Sequence, residues 1–282
     1  PRKYLSTNPG GVGHTYFKER FITPNVLGEE KNTRRFFASY KDNPFINDEY
    51  KKYLEGLSGD LAKAWRDGDW DIFAGQAFPA FKYSTHVITP FEIPDNWYKW
   101  RAVDWGMTAP FCCLWFAKDP DIGRVYIYRE YYKAGLTDKQ QAKAILDLTP
   151  EQGFMLTYAD PSMWGKKNID NYISSSADEY ASIGVPLVKA DNNRINGKRK
   201  VDRILADLPD GKPGLMVFNT CVNFIRTIPA LIYDKNNPED VSQDGEDHAY
   251  DTLRYGLTNM LNRNNLNRVS PPHPLTRLNG IV

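Results

Sequence analysis

Three apolar runs follow one another closely in the middle of the chain: YKWRAVDWG (98–106), FCCLWFAKD (111–119) and RVYIYREYY (124–132). Each is rich in aromatic and β-branched residues, and only MTAP (107–110) and PDIG (120–123) separate them. Such runs predict strands, and links this short predict antiparallel pairing. TDKQQAKAILDLTP (137–150) then predicts a helix, with Thr137 as N-cap, Gln140 at the capping-box position and Pro150 just past the end. FMLTYAD (154–160) reads as a fourth strand, followed by a helix over about 168–183 that Gly184 closes. VPLVKA (185–190) is a short strand, NGKRKVDRILADL (196–208) a basic-fronted helix, and GLMVF (214–218) a further strand. NTCVNFIRTIPALI (219–232) predicts another helix, and a last helix begins near Glu246.

The flanks are different. Residues 1–85 have irregular texture and few strand runs, with two short helices expected in NDEYKKYLEGLSGDLAKAWRDGDW (47–70). Residues 263–282 carry three prolines and many Asn and Arg residues, and read as a flexible tail. The segment between, 86–262, runs as three antiparallel strands, a helix, a strand, a helix, a strand and further helices. This is an α/β order with a mixed sheet flanked by helices, the chain order of a ribonuclease-H-like fold.

Composition narrows the reading. The 282 residues are 41% hydrophobic with a net charge of +1, so a packed core is expected and any basic surface must be local. Cys112, Cys113 and Cys221 show no CxxC spacing and are expected as reduced core residues. No apolar run approaches the roughly 20 residues of a membrane span. No secretory leader is expected, and the opening at Pro1 without a Met is expected of a piece of a longer chain.

The candidate chemistry is acidic. Asp104 ends the first strand and Asp160 the fourth, and the ribonuclease-H-like order puts these strands side by side and parallel. Carboxylates so placed repel one another unless cations neutralise them, and oxygen-only ligands suit Mg2+ or Mn2+, as one ion or two. The last helix adds Asp247 and Asp251, four residues apart on one face. Asp251 is preferred, lying a full turn inside the helix; Asp247 near the start also suits the helix dipole. Arg254 is placed to pair with Asp251 or to approach a phosphate, and His248 stands beside the acids. Read alone, each Asp also suits a cap or a turn; the order of all of them favours a metal site.

VDWG (103–106), YADPS (158–162) and GEDHAYDTLRYG (245–256) resemble the acidic motifs of the nuclease domain of the large terminase subunit of tailed bacteriophages. STNPGGVGHTYFKERFI (6–22) resembles the end of that family's ATPase domain, and GDLAKAWRDGDWDIFAGQAFPAF (59–81) its joining segment. The resemblance spans most of residues 4–261. It implies an ATPase-domain end and linker over 1–85, a nuclease domain over 86–262, and metal ligands at Asp104, Asp160 and Asp251, with Asp247 beside them. It further implies cutting of concatemeric double-stranded DNA at packaging initiation and termination, a small terminase subunit and a portal as partners, and action in the host cytoplasm. Ser6, Thr7 and Asn8 match its coupling segment. A resolvase or integrase-type nuclease and a non-catalytic docking module are the alternatives.

Two basic clusters are candidates for DNA phosphates. Arg194, Lys198, Arg199, Lys200 and Arg203 lie in NNRINGKRKVDR (192–203), and Lys166 and Lys167 follow Asp160 closely. The solvated helix face is the alternative for both. No G-x-x-x-x-G-K-[ST] occurs anywhere. The chain alone is therefore expected to hydrolyse no ATP: phosphate release from Mg2+·ATP should stay at the level of a blank, and steady turnover by the pure chain would contradict this.

Overall fold

The computed structural model describes residues 4–7, 9, 14–29, 32–56, 66–70, 75–149, 155–169, 172–234, 236–243 and 245–260. Asn8, the helix expected near 57–65 and the tail at 263–282 lie outside the described residues. The chain begins with short helical turns between residues 14 and 26 and the helix α1 (Asp48–Gly56). The sheet strands are β1 (Val87–Ile88), β2 (Tyr98–Asp104), β3 (Phe111–Lys118), β4 (Val125–Lys133), β5 (Thr157–Ala159), β8 (Leu187–Lys189) and β9 (Leu215–Phe218). A separate hairpin is made by β6 (Lys166–Ile169) and β7 (Tyr172–Ser175). After a single helical turn at Tyr83–His86, the helices that follow α1 are α2 (Asp138–Asp147), α3 (Ser176–Ile183), α4 (Arg194–Leu205), α5 (Val222–Thr227) and α6 (His248–Met260).

The seven strands of the main sheet lie in the order β1-β9-β4-β3-β2-β5-β8. β2, β3 and β4 pair antiparallel; β5 and β8 continue the sheet in parallel on one side, β9 and β1 on the other. This is the mixed sheet expected from the sequence. β3 is central and, from Phe111 to Ala117, fully buried on both faces, which is why its run is continuously apolar rather than alternating. Trp100 of β2 stacks on Phe116 of β3, and its indole N–H donates to the Gly256 carbonyl at 3.0 Å, fastening α6 to the sheet. All three cysteines are free and buried.

Arg101 is the unusual member of this core. It is a charged residue in mid-strand, yet buried. Its guanidinium donates to Thr157 Oγ1 (3.0 Å), Thr149 Oγ1 (3.1 Å) and the Met155 carbonyl (3.2 Å), joining β2 to β5 and to the residues just past α2.

The capping box at Thr137 and Gln140 forms as expected. Two helix expectations change. Residues 168–169 and 172–175 are not helical but belong to β6 and β7 of the hairpin, and α3 begins only after Ser175. Ser175 and Asp178 form a capping box there, a helix-start signal three residues apart that outweighs the polar run before it. The helix expected over 219–232 shortens to α5, because Pro229 in the next turn lacks the N–H that would continue it. Glu130 of β4 accepts from the Asn223 and Phe224 backbone N–H groups, and so caps α5 from across the sheet. Residues 75–86, at the end of the expected linker, pack into the sheet's core: Ala77, Phe78 and Phe81 are buried, and the Ala77 N–H donates to the Leu231 carbonyl.

Gly106, just past β2, is required by close approach. A Cβ there would lie 2.5 Å from the Ala109 carbonyl oxygen and 2.8 Å from that of Pro110. Both atoms are backbone, so nothing rotates out of the way. Gly106→Ala should therefore cost about 1–3 kcal/mol in urea unfolding, the usual range for overpacking; an unchanged midpoint and slope would contradict the close approach.

Candidate active site

The parallel pairing of β2 and β5 builds the site. Its register is Arg101↔Thr157, Ala102↔Tyr158 and Val103↔Ala159. Asp104 and the residue after β5, Asp160, therefore leave the same sheet edge on neighbouring strands. α6 packs across β2, β3 and β5 and brings His248, Asp251, Arg254 and Tyr255 to this edge, with Asp247 just before its first residue. Glu246, just before α6, is held by Tyr132 (2.8 Å) and by both terminal nitrogens of Arg226 (2.6 and 2.7 Å), which fixes the entry to the helix.

Each acid has its own environment. Burial pushes the Asp104 carboxyl up to about 7; Asp251 and Asp247 add to the rise, and a hydrogen bond with His248 opposes it. His248 Nδ1 lies 2.8 Å from Asp104 Oδ2, and that contact raises the imidazole above its ordinary value. Asp247 is pushed up to about 6, first by burial and then by Asp251. Its carboxylate makes no hydrogen bond to another described residue. At Asp160 burial works upward but is outweighed: Ser162 N–H donates to Oδ1 at 2.6 Å and the Tyr255 hydroxyl donates to Oδ2, and the carboxyl is held below its usual range. Asp251 accepts through Oδ1 from Arg254 Nε (3.1 Å) and Nη2 (3.0 Å), and from Arg194 Nη1 (3.4 Å).

The fold thus draws Asp104, Asp247 and Asp251 into mutual repulsion, with Asp160 joined through Tyr255. Among the described residues, no three His, Cys, Asp or Glu side chains are grouped so as to hold a metal ion. Histidine, arginines, tyrosine and a backbone N–H instead bond three of the four aspartates, Asp104, Asp160 and Asp251.

The basic candidates divide. Lys198 is corrected: it is buried, with Nζ 2.8 Å from Asp202 Oδ2 and near the rings of Phe78 and Tyr233. It shares the inner face of α4 with Gly197, Val201 and Leu205, so it does not reach a phosphate. Arg194 turns to Asp240, the Val241 carbonyl and Asp251. Lys200 donates to the Thr258 carbonyl at 3.0 Å, and Arg199 pairs at the surface with Glu239. Arg203 and Lys166 are exposed; the side chain of Lys167 lies outside the described part. Sequence reasoning missed Tyr255, whose signal was its place four residues after Asp251 on the same helix face. Trp105 is half-buried and donates to Asp138 Oδ1 at 2.5 Å, tying the end of β2 to α2.

No protein-family model matches the sequence, and no curated protein sequence does. Solved structures do match. The nuclease domain of the phage P22 large terminase superposes with a TM-score of 0.54 at 22% identity, over 66% of this chain and 92% of that one. The fold is that of a large terminase nuclease domain. The large terminase of a thermophilic bacteriophage superposes with a TM-score of 0.53 at 19% identity, over 90% of this chain. The match spans only 62% of that thermophilic terminase. At these identities the likeness to terminase nucleases is one of fold. Among the described residues no helix is long and apolar enough to cross a membrane.

The raised Asp247 has a consequence for stability. An Asp whose folded value exceeds its unfolded value destabilises the fold once ionised: the penalty is absent below the unfolded value near 4 and complete above about 6. Asp247→Asn should thus stabilise by up to roughly 3 kcal/mol at pH 8, two units at about 1.4 kcal/mol each. The gain should fade as pH drops toward 4. Thermal melts at pH 8 and pH 4 test this, and a gain confined to low pH would contradict it.

Proposed function

We propose that the chain is a divalent-metal-dependent endonuclease of a viral DNA-packaging motor. It cuts concatemeric double-stranded DNA when packaging starts and when it ends, in the host cytoplasm, alongside a small terminase subunit and a portal. The observation that carries this reading is the set of acids on a terminase nuclease fold: two at adjacent parallel strand ends and two at the start of one helix, with Asp104, Asp247 and Asp251 repelling one another.

The donors suit a hard cation. Asp104 Oδ1, Asp251 Oδ2 and both oxygens of Asp247 receive no hydrogen bond from a described residue, and all are carboxylate oxygens. The elevation of Asp104 and Asp247 reflects burial and repulsion that a cation would relieve. When bound, Mg2+ or Mn2+, as one ion or two, supplies polarisation of the phosphodiester and a water acidic enough to attack it near neutral pH. Asp104, Asp247 and Asp251 would hold it through these oxygens, and Asp160 would join them on giving up a bond from Tyr255 or Ser162. His248 keeps a proton at Nδ1 on Asp104 Oδ2, which orients the other Asp104 oxygen. Lys166, Arg199 and Arg203 are exposed, and in this reading they would contact backbone phosphates.

Asp104→Asn and Asp160→Asn should each lower Mn2+-dependent nicking of supercoiled plasmid by about 100-fold or more, with circular dichroism unchanged. Undiminished cutting by either variant overturns the reading. One observation favours a second reading, the non-catalytic docking module: most of the acids already have protein partners. If calorimetry shows no Mn2+ binding at millimolar concentration, that module is the better account.

A further inference from the structure

Asp251 is gripped through one oxygen only. Arg254 Nε and Nη2 and Arg194 Nη1 all address Oδ1, and Oδ2 receives nothing from a described residue. Arg254 is 1% exposed, so this grip is made in the interior. Its guanidinium carbon lies 4.6 Å from the centre of the Tyr255 ring, whose hydroxyl binds Asp160. One guanidinium therefore touches the helix acid and the group that holds a strand acid.

The arginine has a seat on the neighbouring helix. A Cβ at Gly197 of α4 would fall 2.1 Å from Cγ and 2.2 Å from Cδ of Arg254. Those are stem atoms of a buried side chain, not a free end, so a methyl at residue 197 must displace the arginine. Lys200 of α4 bonds the Thr258 carbonyl of α6 and fixes the approach of the two helices. Arg254 Nη1 is buried without a hydrogen-bond partner. That unpaired donor has a cost which a residue serving only to fill space would not carry.

We propose that Arg254 is the positioning residue for Asp251, and that Gly197 is the space that lets it act. The pair decides which Asp251 oxygen stays free, and through Tyr255 it couples the orientation of Asp251 to that of Asp160. The inference rests on the nuclease reading above.

The test compares Arg254→Ala, Gly197→Ala, their double variant, and Gly256→Ala. The last is a control on the same helix, because its Cβ would lie 2.7 Å from the Phe116 ring and strain the core without touching Arg254. Arg254→Lys is a milder variant that keeps stem and charge but loses the two-nitrogen grip. Mn2+ affinity is read by calorimetry and plasmid cutting by kcat and KM. Arg254→Ala, Arg254→Lys and Gly197→Ala should each weaken Mn2+ binding and lower kcat by about tenfold or more, with KM for DNA little changed. The double variant should be no worse than Arg254→Ala, since the methyl then has nothing to displace. Gly256→Ala should lower the Tm and leave Mn2+ affinity intact. Wild-type Mn2+ affinity and kcat in Arg254→Lys, additive losses in the double variant, or an equal loss of Mn2+ affinity in Gly256→Ala would each overturn the proposal while Asp104→Asn still abolishes cutting. No Mn2+ binding by the unsubstituted chain removes the nuclease reading, and this inference with it.

Discussion

The parallel junction of β2 and β5 is the constraint on which the site depends. Two strands far apart in sequence must lie in one register for Asp104 and Asp160 to emerge together, and only three residue pairs set that register. So short a ladder is weakly specified by backbone pairing alone. Arg101 supplies the missing specification: from inside β2 it reaches a side chain of β5, a carbonyl beside it and the threonine after α2. A slip by one residue would strip a buried guanidinium of these acceptors, and leaving a charged donor unpaired in the interior costs more than any one surface contact restores.

The second constraint is like charge. Carboxylates collected at one edge and partly buried oppose folding, and the chain answers acid by acid. Asp160 receives neutral hydrogen-bond donors and is held easily ionised. Asp251 receives arginines, and Asp104 a histidine. Asp247 alone among the four has neither, and with Asp104 it carries the strain as a raised pKa. The environments differ because their carriers differ: strand ends are fixed by the sheet, whereas α6 presents partners at three- and four-residue spacing along its own face.

Much of this was legible in the chain. Continuous apolar runs gave the central strands, because a strand buried on both faces cannot alternate. The Thr137–Gln140 box placed α2, and the order of strands and helices foretold the mixed sheet. The three-residue spacing of Asp251 and Arg254 offered their pairing as one of two readings, and the pair forms. What stayed hidden depends on long-range contact. Glu130 caps a helix some 90 residues away, as its bond to Asn223 shows. Lys198 reads as part of an open basic run, yet the phase of α4 turns it inward onto Phe78 and Tyr233. The β6–β7 hairpin follows a turn made by Asp160 itself, and its polar residues carry no strong period of either kind.

β2 is bonded on both edges and, through its middle residues, buried on both faces. Amides in such a strand exchange with solvent only when the whole unit opens, so Asp104 rides on one of the last elements to loosen. A carboxylate mounted there is not switched by local melting. Its position is therefore as durable as the fold itself.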